Sequence, residues 1–141
     1  MRIDSHQHFW NYSPETHAWI TDEMNLIQRN FLPQDLQPEL ERQKIDGTIL
    51  VQVDQNEAEN HFFLELAAQN PFIKGTVGWV DLKADNLEER LTFYKSYPVL
   101  KGFRHIVQAE SDPYFLQNPA FRQGIATLSK YGYTYDILVY P

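Results

Sequence analysis

Apolar residues along the chain alternate between two spacings. Thr48-Ile49-Leu50-Val51-Gln52-Val53 is β-branched and apolar on both faces except at Gln52, which suits a parallel strand covered on both sides. Phe62, Phe63, Leu66 and Ala67 then recur at helical spacing. They predict a helix over residues 56–70, capped by Asn56 with Glu59 three residues on as in a capping box, and closed by Pro71. The alternation continues. Residues 73–80 read as a strand containing Gly75 and Gly78. Asn86 opens a helix with Glu89 three residues on and Leu87, Leu91 and Tyr94 on one face. Residues 99–107 form the next strand, followed by a loop over 108–117. Asn118-Pro119 starts a helix that buries Phe121, Ile125 and Leu128 and ends at Gly132. A strand over 133–140 follows.

The first third is less regular. Residues 2–5 predict a short strand, and a long loop carries Phe9, Trp10 and Trp19. Ser13 caps a helical turn that begins at Pro14, and residues 36–45 read as a short helix ended by Gly47.

Strand followed by helix, about five times over, implies parallel strands joined by right-handed crossovers. A doubly wound open sheet and a (β/α)8 barrel both produce this pattern. No glycine-rich phosphate loop follows the first strand, and the chain stops on a strand. The expected class is therefore α/β: a partial (β/α)8 barrel of about the first five βα units, with residues 1–141 as one domain. A full barrel takes about 250 residues.

Composition narrows the chemistry. The net charge of −7, with 12 scattered Lys and Arg residues, argues against a nucleic-acid partner. No apolar run approaches the ~18 residues needed to span a bilayer, and residues 1–6 lack the apolar stretch of a secretory signal. With no cysteine, disulfides and thiolate metal sites are ruled out, and a reducing cytoplasm is expected. Histidine, aspartate and glutamate remain as metal ligands.

Asp4-Ser5-His6-Gln7-His8 lies at the C-terminal end of the first strand, where parallel α/β folds place their sites. Side chains two apart on a strand point the same way, so His6 and His8 can aim at one divalent ion. Asp4 shares that phase, to orient an imidazole or to bond backbone groups. The competing reading is a solvated turn, or two histidines packed on Trp10. Gln52, the single polar residue of its strand, is a pocket-facing or a satisfied core amide. Arg104, near a strand end, suits a substrate carbonyl or carboxylate, or else a salt bridge in the barrel mouth. His105 faces the opposite way. Trp79 and Trp10 line a pocket or simply fill the core. Asp136 reads as a polar plug of the barrel interior, His17 and His61 as surface or helix-face residues, and the acidic run 57–65 as a solvated helix face.

Residues 2–10, Arg-Ile-Asp-Ser-His-Gln-His-Phe-Trp, resemble the opening of the amidohydrolase-related TIM-barrel metal-dependent hydrolases. The likeness is to the branch that includes L-fuconolactonase and L-rhamnono-lactonase. Val51-Gln52, residues 75–81, Lys101-Gly102-Phe103-Arg104-His105 and residues 135–141 resemble its second to fifth strands in order. The resemblance implies that His6 and His8 are the metal pair of the first strand. It places the family's remaining metal-site residues beyond Pro141, together with a general base. It further implies hydrolysis of a small cyclic ester by metal-activated water, with Zn2+ the expected divalent ion. Arg104 and His105 are the candidate catalytic residues, and Gln52, Trp79 and Arg104 the candidate substrate contacts. The partner is then a small-molecule substrate. Three alternatives stand beside this reading. One is an amide-hydrolysing relative. Another is an inactive half barrel that needs a complement or self-associates through exposed sheet edges. The last is an open-sheet domain that binds a ligand without chemistry.

Overall fold

A computed structural model describes residues 1–138. Five strands form one sheet in sequence order: β1 (Ile3–Gln7), β2 (Gly47–Val51), β3 (Ile73–Gly78), β4 (Leu100–Arg104) and β5 (Thr134–Asp136). Every neighbouring pair is parallel. The crossovers carry α1 (Pro33–Gln43), α2 (Glu57–Gln69), α3 (Leu87–Tyr94) and α4 (Pro119–Lys130). Sequential parallel strands with a helix between each pair form half of a (β/α)8 barrel.

Helices pack on one face of the sheet. Leu50 and Ile73 meet Phe63 of α2 together with Phe9. A larger cluster joins Leu100 and Phe103 of β4 to Leu91 and Tyr94 of α3 and to Phe121 and Leu128 of α4. Burying each of these side chains contributes about 1.5–3 kcal/mol.

Two glycines let helices approach strands closely. A Cβ on Gly78 would stand 2.2 Å from Asn60 Oδ1, and one on Gly124 would stand 2.0 Å from the Leu82 carbonyl oxygen. Asn60 is 1% exposed. It accepts the Trp79 N–H at 2.9 Å, and its Nδ2 donates to Trp79 O at 2.7 Å and Tyr94 Oη at 3.0 Å. The backbone just past β3 is thereby held by α2.

Local structure departs from the sequence reading in several places. α1 starts at Pro33, not residue 36, because the Asp35 carboxylate accepts the Leu32 N–H at 2.8 Å and fixes the entry. Lys44, with φ 56°, ends α1 in the left-handed conformation, and Gly47 opens β2 instead. Asp22–Ile27 is an unforeseen 3-10 segment, while residues 14–16 make only a turn. Asn56 caps α2 by accepting the Glu59 N–H at 3.0 Å, and Asn118 caps α4 from two amides. Glu59 does not return to the Asn56 N–H as a capping box requires. His17 is buried at 6% exposure and bonded to Thr16 Oγ1 at 2.8 Å, rather than lying on the surface. Nor is the acidic run simply solvated: Glu57 binds Arg90 and accepts the Tyr94 hydroxyl at 2.6 Å. The expected final strand extends past the described residues; β5 covers its first part. Among the described residues, no helix is long and apolar enough to cross a membrane.

Candidate active site

The register of β1 decides where its histidines go. Asp4 pairs with Thr48 and Gln7 with Leu50, so β1 spends one extra residue against β2. Such a bulge breaks the two-residue alternation. Gln7 therefore shares the face of Leu50, which packs toward the helices, and His6 turns to the concave inner face. Asp4 loses the phase expected of it. Its carboxylate accepts the His6 backbone N–H at 3.2 Å instead of reaching an imidazole.

On the inner face the two rings converge. His6 Nε2 and His8 Nε2 stand 3.2 Å apart, the rings edge-on at 77°. His8 Nδ1 lies 2.8 Å from the Val51 carbonyl, which only an N–H at that atom satisfies. His8 Nε2 is then a lone pair. Arg104 Nη1 donates to His6 Nε2 at 3.3 Å, which makes that atom a lone pair too. Burial pushes His8 down to about 4, with Arg104 and His6 adding to the shift and the Val51 bond opposing it. Burial and then Arg104 lower His6 in the same direction. Both imidazoles are thus neutral at pH 7, with lone pairs facing each other.

Two facing lone pairs repel unless a cation sits against both. Their separation matches two donors each about 2.0–2.1 Å from one tetrahedral ion. The pair therefore fits a divalent metal, with the Val51 carbonyl orienting His8 from behind. Among the described residues no group of three His, Asp or Glu side chains converges, so this pair could offer such an ion two nitrogen donors.

Arg104 forms the floor beside them. It is 7% exposed, and its Nη2 donates to both the backbone oxygen and Oε1 of Gln52, the latter at 2.7 Å. Gln52 is fully buried and turned onto Arg104 rather than onto open space. Asp136 pairs in register with Arg104 across β4 and β5, and its charge favours the protonated forms of both Arg104 and His6. A cavity of about 700 Å³ opens above, lined by His8, Arg104, Trp10, Trp19, Gln55 and Gln108, among others.

Two sequence candidates lie apart from this group. The His105 ring is stacked on Phe115 with centroids 4.7 Å apart, and its Nε2 meets Glu110 Oε1 at 2.6 Å. Trp79 Nε1 donates to His105 Nδ1 at 3.2 Å. Neither ring lines the cavity above Arg104. The alternation that aims Arg104 inward sends His105 into the aromatic layer under α4.

Sequence reasoning passed over Glu59 and Trp19 and gave Asp136 only a plug's role. Trp19 was visible as an aromatic in a long loop, but its position over the cavity depends on the fold of residues 10–31. Glu59 was masked by a capping box it does not make.

Known proteins are similar to this chain in sequence and fold. An L-fucono-1,5-lactonase from Burkholderia multivorans is 40% identical over 141 residues, covering 99% of this chain and 47% of the relative. Another, from Burkholderia ambifaria, is 31% identical over 140 residues, covering 99% and 48%. A crystal structure of an amidohydrolase from Burkholderia multivorans with bound zinc superposes with a TM-score of 0.94 at 40% identity, covering 99% of this chain and 49% of that one. The chain thus spans about half the length of the relatives it matches. Residues 3–140 match the family described as amidohydrolase, and with the half barrel and its inward-facing histidine pair in view, the chain belongs to that family.

Proposed function

We propose that this chain supplies the metal-binding strand and much of the substrate cavity of a hydrolase that opens a small cyclic ester of the sugar-lactone kind. The observation that carries the proposal is the pair of imidazole Nε2 atoms 3.2 Å apart on the inner face, beside a buried guanidinium. The lactonase relatives and the zinc-bound structure support the substrate class and the metal.

His6 and His8 would hold the ion, which would supply Lewis-acid activation of water and of a carbonyl. Arg104 places a fixed positive charge on the cavity floor, where it stabilises negative charge developing on the carbonyl oxygen. Gln52 acts through Arg104: by occupying Nη2 twice it leaves Nη1 directed at the site. Trp10 and Trp19 give the cavity flat apolar walls against which a ring can lie. His105 and Trp79 buttress the end of β4 from behind. The lack of cysteine fits a cytoplasmic setting.

Zinc titration by calorimetry tests the metal. The wild-type chain is expected to bind one ion, and His6→Ala and His8→Ala variants that keep the wild-type circular dichroism are expected to lose it. Binding that survives both substitutions overturns the site. Water attacks ester and amide carbonyls alike, so the two are separated by comparing turnover of an aldonolactone with that of the matching amide.

A second reading follows from β1, which is exposed at Ile3 and has a neighbour on one side only among the described residues. Unpaired strand edges invite association. Self-association through β1 or β5 predicts a dimer in size-exclusion chromatography at micromolar concentration.

A further inference from the structure

The loop between β2 and α2 forms one wall of the cavity, through Val53, Asp54 and Gln55. Its backbone is held by a single carboxylate. Glu59 Oε2, from the first turn of α2, accepts the Val53 N–H at 2.9 Å and the Asp54 N–H at 3.0 Å. Downstream of these bonds, Asp54 Oδ1 accepts the Gln55 N–H at 2.7 Å, and Asp54 Oδ2 accepts from Asn56 Nδ2 at 2.6 Å. Gln55 Oε1 then accepts the Ile106 N–H at 2.8 Å. Ile106 belongs to the segment after β4, which lines the facing wall of the same cavity. The chain of bonds runs from Glu59 through one wall to the other.

We propose that Glu59 is a positioning residue that sets the separation of the two cavity walls, by clamping the Val53 and Asp54 amides and, through Gln55, the backbone at Ile106. This deepens the reading of the cavity as a substrate site and rests on it only for what the cavity holds. Nothing of the clamp depends on the histidine pair.

The charges around Glu59 agree with a strained but retained carboxylate. Asp54 faces it from the loop and Arg104 from β4, and His17 shares the small cavity on its other side. Burial, and then the Asp54 charge, raise its pKa to about 7 against the two amide bonds and Arg104. A group so poorly suited to charge keeps its place here through the two amides it receives.

Amide-resolved hydrogen exchange and a pH series of 15N–1H spectra on the whole chain test the proposal. Glu59→Ala is expected to raise exchange at Val53, Asp54 and Ile106 by about tenfold or more, each lost charge-assisted bond being a tenfold effect or larger. Amides in α3 should change little. Glu59→Gln keeps an oxygen acceptor and is expected to restore slow exchange, while abolishing a common titration of the Val53 and Asp54 amides near neutral pH. Unchanged exchange at Ile106 in Glu59→Ala refutes the coupling between walls. If Glu59→Ala loses protection throughout, Glu59→Gln decides: amides that still titrate together show that the clamp is not made by Glu59. Zinc binding is read separately, so failure here leaves the metal site standing and failure there leaves the clamp.

Discussion

Replacing Asn60 by alanine removes three hydrogen bonds in one step: one accepted from Trp79 N–H and two donated, to Trp79 O and Tyr94 Oη. Each is worth about 1 kcal/mol net, and a buried group left unpartnered costs about 1–3 kcal/mol. Trp79 would lose both backbone partners at once, so the expected cost is about 3–5 kcal/mol, a large part of the roughly 5–15 kcal/mol stability of a typical domain. With a urea m-value of about 1–3 kcal/mol/M, the unfolding midpoint followed by tryptophan fluorescence should fall by more than about 1 M. Asn60→Asp should fare little better, since a carboxylate can accept from Trp79 N but cannot donate to the other two partners. Tyr94→Phe combined with Asn60→Ala should cost less than the sum of the two, because both break the same bond. A midpoint shift equivalent to under about 1 kcal/mol at unchanged m would show that water or a shifted side chain replaces the amide, and would refute the claim that α2 anchors the end of β3.

Other predictions concern packing, charge and chemistry. Gly124→Ala pushes a Cβ to 2.0 Å from a backbone oxygen that cannot rotate away; a loss of about 1–3 kcal/mol in the same assay is expected. Glu59, raised to about 7 in the fold against 4.5 ordinarily, makes stability full below pH 4.5 and erodes it as pH rises toward 7. The difference in stability between wild type and Glu59→Gln should accordingly change by about 2–3 kcal/mol between pH 4 and pH 8 in paired urea titrations, and a flat difference contradicts the shift. Arg104→Lys loses the guanidinium that spans Gln52 through Nη2 and His6 through Nη1; on the proposed function, lactone turnover should drop about a hundredfold with KM changed far less.

How much of this was legible in the sequence depends on the range of the forces involved. The βαβ alternation, the caps at Asn56 and Asn118 and the left-handed glycine at position 132 are local, and residues within a few positions specify them. The inward convergence of His6 and His8 was readable from their spacing and place. The loss of phase at Asp4 was not, because a bulge is fixed by how β1 meets β2, more than forty residues away. Glu59 was missed for a different reason. Its spacing from Asn56 matched a local motif, but it binds two other nearby amides, Val53 and Asp54 in the loop after β2, and only the path of that loop selects them. Arg104 and His105 could be sorted into inner and outer faces by alternation alone, and the structure puts one against Gln52 and the other against Phe115. Which face was the interior required the whole sheet.

The strand that carries His6 and leads directly into His8 has a partner along only one flank among the described residues. Its backbone therefore opens more readily than that of a strand zipped on both sides, and the spacing of the ring nitrogens moves with it. Any chain that docks along the free flank, from this polypeptide or another, would stiffen the ligand pair without touching it. Assembly and metal affinity would then be thermodynamically linked, each strengthening the other by the same factor.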